Sequence, residues 1–203
     1  MALLGLSIPL ACLWGAAPVR AQSDSCDPLV EAGYAQLSSP GFRASMTQER
    51  SDGDETRVVE FIPPNRFHIV NPNGQDFIVV GSAAFIYVNG LGYRQVPGGI
   101  GDIAGEMAGT LTEAQRQAAS CQLIGDDVVD GLPTRAYGFS MAYTDTSSGQ
   151  PVPINTSGVT WIGIADGRPI RSLIDGQVGG FRAVTRLTIE YPTDLQIDPD
   201  LPR

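Results

Sequence analysis

The side chains able to do polar chemistry are few, and their types decide which chemistry is open. Among 203 residues there is a single histidine, His68, and all 13 basic residues are arginine. The absence of lysine excludes Schiff-base, Walker-type and kinase-type lysine chemistry. One histidine supplies neither a two-histidine zinc motif nor a facial iron triad within one chain. His68 lies in Arg66-Phe67-His68-Ile69-Val70, on the strand face opposite Phe67 and Ile69. A catalytic base needs a nucleophile and an orienting acid; neither is signalled nearby, and no G-x-S-x-G occurs. His68 therefore reads as a solvated strand histidine. Gly99-Ile100-Gly101 with Gly105 has the wrong spacing for a dinucleotide loop. Asp52, Asp54 and Glu55 mark a hairpin tip without EF-hand spacing. The inventory is that of a non-enzymatic protein with no metal and no cofactor.

Charge and composition narrow the partners. There are 22 acidic against 13 basic residues, a formal net charge of −9, and no basic run. That balance speaks against nucleic acid. With 17% charged and 42% hydrophobic residues, 24 glycines and 15 prolines, the chain is a low-charge, turn-rich globular sequence of one-domain length.

The first residues read as an export signal. Ala2 to Val19 carry no charge, Leu3 to Trp14 form a compact apolar stretch, and Val19-Arg20-Ala21 offers a cleavage site. The expected division is a signal peptide over residues 1–21 and one domain over residues 22–203. An uncleaved membrane anchor and lipid attachment at Cys12 are the alternatives. In an exported chain the cysteines that remain, Cys26 and Cys121, read as one structural disulfide.

These residues must be positioned by the elements that follow. Asp27 as N-cap, Pro28 in the first turn and Val30, Tyr34 and Leu37 at helical spacing predict a helix stopped at Ser38-Ser39-Pro40-Gly41. From Gly41 the period becomes two. Strands are expected from Phe42, over 56–62, 66–70, 76–80, 83–88 and 93–96, with Pro63-Pro64, Asn71–Gly74 and Asn89-Gly90 as turns. Residues 97–109 read as a Gly-rich flap, residues 110–120 as a second helix with Thr110 and Glu113 at capping-box spacing. Strands resume at Val128-Val129, over 134–143, 159–164, 169–174 and 181–191, with residues 149–158 as a polar loop and residues 194–203 as a tail. Short turns between successive strands give an antiparallel meander, not a βαβ series.

Several of these segments resemble elements of the bacterial lipoprotein-carrier-like proteins. Glu60 to Val70 is similar to their P-x-R-h-h element, followed by Phe77-Ile78-Val79-Val80-Gly81 and by Tyr87-Val88-Asn89-Gly90 with Tyr93 to Pro97. Val129-Asp130-Gly131-Leu132-Pro133 through Tyr137, and Trp161-Ile162 with Asp166-Gly167-Arg168-Pro169-Ile170-Arg171, resemble the G-x-P-x-x-x-Y and W-h-x-x-x-x-G-x-P-x-R elements. The resemblance implies the LolA/LolB/RseB-like fold, which LppX/LprG-type lipid-binding lipoproteins share. That fold is mostly β, an open antiparallel half-barrel of about eleven strands with short helices covering its concave face. It implies a periplasmic or envelope-facing monomer that carries a lipid or lipidated protein and meets an envelope membrane protein. A sensor module that binds a signalling protein is the alternative function.

Alternation then selects a lining. Glu60 marks one face of its strand as wet, so Val59 and Phe61 point inward; Phe67 and Ile69 oppose His68. Phe181, Leu187, Ile189 and Tyr191 oppose Arg182, Arg186 and Glu190. Trp161 and the Tyr137, Phe139, Met141 row add bulk to the same concavity, and Ile103 and Met107 are the expected lid contacts. The competing reading makes Phe67, Tyr137 and Trp161 ordinary core.

Overall fold

A computed structural model describes residues 25–49, 53–96, 118–145 and 150–198. Helix α1 (Asp27–Leu37) carries Pro28 in its first turn, where a missing N–H costs nothing. Its N-cap is Cys26, not Asp27; Asp27 stands one place further in, its N–H donated to the Ser25 hydroxyl at 3.1 Å. There its carboxylate faces the positive end of the helix dipole.

Six strands follow: β1 (Phe42–Glu49), β2 (Glu55–Ile62), β3 (Arg66–Val70), β4 (Asp76–Val80), β5 (Ala83–Val88) and β6 (Gly92–Gln95). Five more complete the chain: β7 (Ala119–Val129), β8 (Leu132–Asp145), β9 (Val152–Gly163), β10 (Pro169–Val178) and β11 (Phe181–Glu190). All eleven lie in one antiparallel sheet, ordered β6-β5-β4-β3-β2-β1-β11-β10-β9-β8-β7. The chain meanders outward from the centre to the β6 edge, reappears at the β7 edge and meanders back until β11 pairs with β1. The two edges do not pair, so the sheet is an open half-barrel, as the resemblance implied.

Three expectations about elements change. Ala119 and Ser120 begin β7 instead of ending a second helix, and the rest of that helix, 110–117, lies outside the described residues. So do the leader 1–21 and the Gly-rich segment 97–109 with Ile103 and Met107. β7 is an edge strand whose register shifts between Leu123 and Gly125, and that bulge breaks the alternation a sequence reading needs. Residues 152–158 of the expected polar loop 149–158 are instead the first half of β9. Pro153, Asn155 and Ser157 are its exposed positions and Ile154 and Thr156 its half-buried ones. A period of two was present, hidden under a loop-like composition. The tail is not free either: Ile197 is buried, and its carbonyl accepts a hydrogen bond from Arg66 Nη1 at 2.9 Å.

The pairing register defines an inner and an outer face. Phe42, Ala44, Val59, Phe61, Phe67, Val79, Ala84 and Ile189 form the buried cluster of the inner face. Helix α1 lies across this face. Its N-cap residue, Cys26, is tethered to β7 by the Cys26–Cys121 disulfide, the helix touches β10, and Leu37 at its far end packs on the cluster. The helix thus runs from Cys121, the register partner of Phe139, towards the end of the half-barrel where β1 begins. The opposite end, where β8, β10 and β11 meet their turns, is its mouth.

Candidate ligand-binding face

The inner face divides into a filled half and a half-open one. On β1 to β4 and β11, Val59, Phe61, Phe67 and Ile189 are each 5% exposed or less. The Phe61 and Phe67 rings stand 4.6 Å apart and Phe42 lies 5.3 Å from Phe61. Ile69, Leu187 and Tyr191 lean on the same cluster. These side chains already occupy one another, as a protein interior does.

Across the sheet the pattern differs. On β8, Tyr137, Phe139, Met141 and Tyr143 recur at every second position and are all half-buried; of the alternate positions Gly138 is buried and Ser140, Ala142 and Thr144 are exposed. Phe139 pairs with Gly158 of β9, and its ring covers the place a side chain would take there. Beside it the Thr160 and Ser172 hydroxyls hydrogen-bond each other at 2.9 Å. Two polar groups on this floor are thus satisfied without water, and the surface they leave is largely apolar. The structure places Phe181 on the same face by register, at the mouth, with 85% of its surface exposed.

One aromatic side chain, Trp161, falls elsewhere, and another, Tyr191, is held at the edge of the cluster. Trp161 pairs with Ala136 and Thr160 with Tyr137, so Trp161 is on the outer face, across the sheet from the Tyr137 row. Its indole N–H donates to Asp127 Oδ2 at 2.8 Å, and this bond, with the Val128 N–H, holds the Asp127 carboxyl below its ordinary range. A one-residue error in strand parity is enough to reverse such a placement. Tyr191 lies just beyond β11. Its hydroxyl donates to the Pro169 carbonyl at 2.8 Å, Arg168 stacks 4.1 Å above its ring, and burial pushes its pKa up.

On the outer face, neither His68 nor Glu60 is simply solvated. His68 Nδ1 lies 2.7 Å from Glu60 Oε2 and its Nε2 lies 3.0 Å from Asp76 Oδ1. Arg43 Nε donates to Glu60 Oε1 at 2.7 Å, and the Tyr93 hydroxyl donates to Asp76 Oδ1 at 2.8 Å. The Asp76 side chain is buried and that of Glu60 is only 13% exposed. The signal for this network was the hairpin itself: a turn centred on Pro63-Pro64 pairs Glu60 with His68. Its groups are engaged with one another and it contains no exposed nucleophile; with Arg43 and Tyr93 it joins five strands, β1 to β4 and β6. One small cavity, about 100 Å³, opens at the mouth among Met46, Glu55, Arg57, Pro72 and Thr185. It falls well below the roughly 300–1,000 Å³ of ordinary ligand pockets.

An open antiparallel half-barrel with a helix tied across its inner face is the class of fold these observations define. Solved structures with a similar fold include two mycobacterial proteins. LprF from Mycobacterium bovis is 16% identical, with 85% of this chain and 94% of that chain covered and a TM-score of 0.52. The lipoprotein LppX of Mycobacterium tuberculosis is 16% identical, with 85% and 100% covered and a TM-score of 0.52. At that identity the likeness is one of fold. Compared by sequence, no family model and no curated protein matches the chain.

Proposed function

We propose that the protein is a non-enzymatic binder or carrier of a lipid, or of the acyl group of a lipidated protein, and that the chain lies along the inner face of β8 to β11. The carrying observation is the half-buried row Tyr137, Phe139 and Met141 on an apolar floor, beside a half-barrel half that is already packed. Val59, Phe61, Phe67 and Ile189 then form the wall behind the ligand, Ile69, Leu187 and Tyr191 flank it, and Ile103 and Met107 belong to a lid over it. The name of LppX, a lipoprotein, supports an envelope setting. In this reading residues 1–21 direct export, residues 22–203 act as one monomeric domain in the periplasm, and an envelope membrane protein receives or supplies the cargo.

The test is titration with a fluorescent anthroyloxy fatty acid. The parent is expected to take up the probe saturably. Phe139→Glu and Met141→Glu place a carboxylate against the chain and should weaken uptake about tenfold or more. Ser140→Glu, on the exposed side of the same strand, should change nothing. Equal affinity in all three variants would remove the β8 row from the binding role.

A further inference from the structure

The mouth carries a feature that the binding of a ligand inside does not require. Tyr143 pairs with Ile154, Ile154 with Val178, and Val178 with Phe181, so four apolar side chains form one row across the ends of β8, β9, β10 and β11. Phe181 is 85% exposed and Val178 48%. Between them the β10–β11 turn is Gly179-Gly180, both with positive φ, which gives a tight tip with no side chain beyond Cα. Among the described residues the row has no buried cluster behind it at this end, yet through Tyr143 it continues directly into Met141, Phe139 and Tyr137.

The charges around the row are balanced. Arg182 Nε donates to Asp175 Oδ1 at 2.9 Å, and Arg186 Nε to Glu49 Oε1 at 2.7 Å, both pairs on the outer face. Asp145 adds one carboxylate at the end of β8. Arg57 and Glu55 at the mouth offset each other as well, so among the described residues there is no cationic excess here to attract an acidic partner or an anionic lipid headgroup, and an exposed Phe on a narrow tip fits the interfacial zone of a neutral bilayer.

We infer that the β10–β11 hairpin tip, with Phe181 and Val178, inserts into a zwitterionic membrane surface, and that the Tyr143-to-Tyr137 row is the ramp along which an acyl chain leaves that surface for the inner face. The inference rests on the binding role proposed above, and its test separates the two. The protein recovered in soluble periplasmic extract is floated with phosphatidylcholine vesicles, with and without phosphatidylglycerol. Binding to pure phosphatidylcholine, not increased by phosphatidylglycerol, is expected. The double variant Val178→Ser, Phe181→Ser should lose vesicle binding about tenfold or more, the scale set by withdrawing one Phe and one Val from the interface. It should keep its melting temperature, and in vesicle-free solution its affinity for the anthroyloxy fatty acid should fall far less than its vesicle binding.

Phe139→Glu should behave in the opposite way, floating normally but losing the probe. If the parent does not float, if the double variant floats like the parent, or if binding needs phosphatidylglycerol, the membrane contact is wrong. A parent that sediments as a dimer and becomes monomeric in the double variant would make the row an interface between two copies, and equally overturn it. Loss of the probe-binding role alone, with flotation still dependent on Phe181, would count against the proposed function and leave the membrane contact standing.

Discussion

Phe139 and Gly158 face each other across β8 and β9, and the glycine is what lets the ring lie flat on the neighbouring strand. A Cβ at Gly158 would stand 3.0 Å from Phe139 Cε1 and Cζ and would collide with the Leu173 carbonyl oxygen. The oxygen belongs to backbone and has no rotamer with which to move aside. Gly158→Val is therefore expected to destabilise the protein by about 1–3 kcal/mol, the usual range for overpacking, and to displace Phe139 from the floor. Urea unfolding together with probe uptake checks this; unchanged stability would mean that the two strands are further apart than described.

The filled and half-open halves of the inner face make different demands on a truncated side chain. Phe67, 1% exposed and stacked on Phe61, should cost about 3–5 kcal/mol when changed to Ala. Phe139→Ala, in the half-buried row, should cost clearly less while reducing probe uptake. Thermal melts of both variants decide it. Equal destabilisation would assign Phe139 to the core.

The Cys26–Cys121 bridge closes a separation of 95 residues and ties the start of α1 to an edge strand. For a loop of that size, chain-entropy arguments give roughly 4–5 kcal/mol as an upper figure. The Cys26→Ser, Cys121→Ser variant should fall by about 2–4 kcal/mol in denaturant unfolding. Intact mass of the parent should rise by two hydrogens on reduction. Two free thiols in protein from an oxidising compartment would contradict the bridge.

Glu60 gives a pH dependence with a definite sign. Burial raises its pKa, but hydrogen bonds from His68 and Arg43, and their charges, outweigh that and hold the carboxyl below its ordinary 4.5. A carboxyl whose pKa is lower folded than unfolded stabilises the fold above the unfolded value and loses that contribution as pH falls through the folded value. Glu60→Gln should therefore cost about 1.5–3 kcal/mol near neutrality, the scale of hydrogen bonds to a charged group. The difference from the parent should shrink below pH 4.5. Urea midpoints measured at neutral and acid pH would show it, and a gap that widens in acid would reverse the sign.

Much of the fold was legible because β1 alternates from Phe42 to Thr47, β11 alternates over most of its length, and Pro-Pro, Asn-Gly and Gly-Gly turns punctuate the strands. β7 and the start of β9 were not, for opposite reasons. β7 is an edge strand with Leu123, Ile124 and Val128 exposed and a bulge that interrupts its period. In β9 a run of Pro, Asn, Thr and Ser hides a strand whose partners on both sides supply the hydrogen bonds. Parity inside one strand separated Phe67 from His68 and Leu187 from Arg186. The relative parity of two strands needs the register of their hairpin, and for that reason Trp161 falls opposite the Tyr137 row. The Glu60–His68–Asp76 network joins three strands and follows only once both hairpin registers are fixed.

Native mass spectrometry of protein released from cells without detergent tests the central claim most directly. The account predicts a population carrying one acyl-bearing molecule per chain, absent from a folded Phe139→Glu variant. A parent that is free of ligand, and that takes up no acyl-bearing lipid from phosphatidylcholine vesicles while remaining folded, would contradict it.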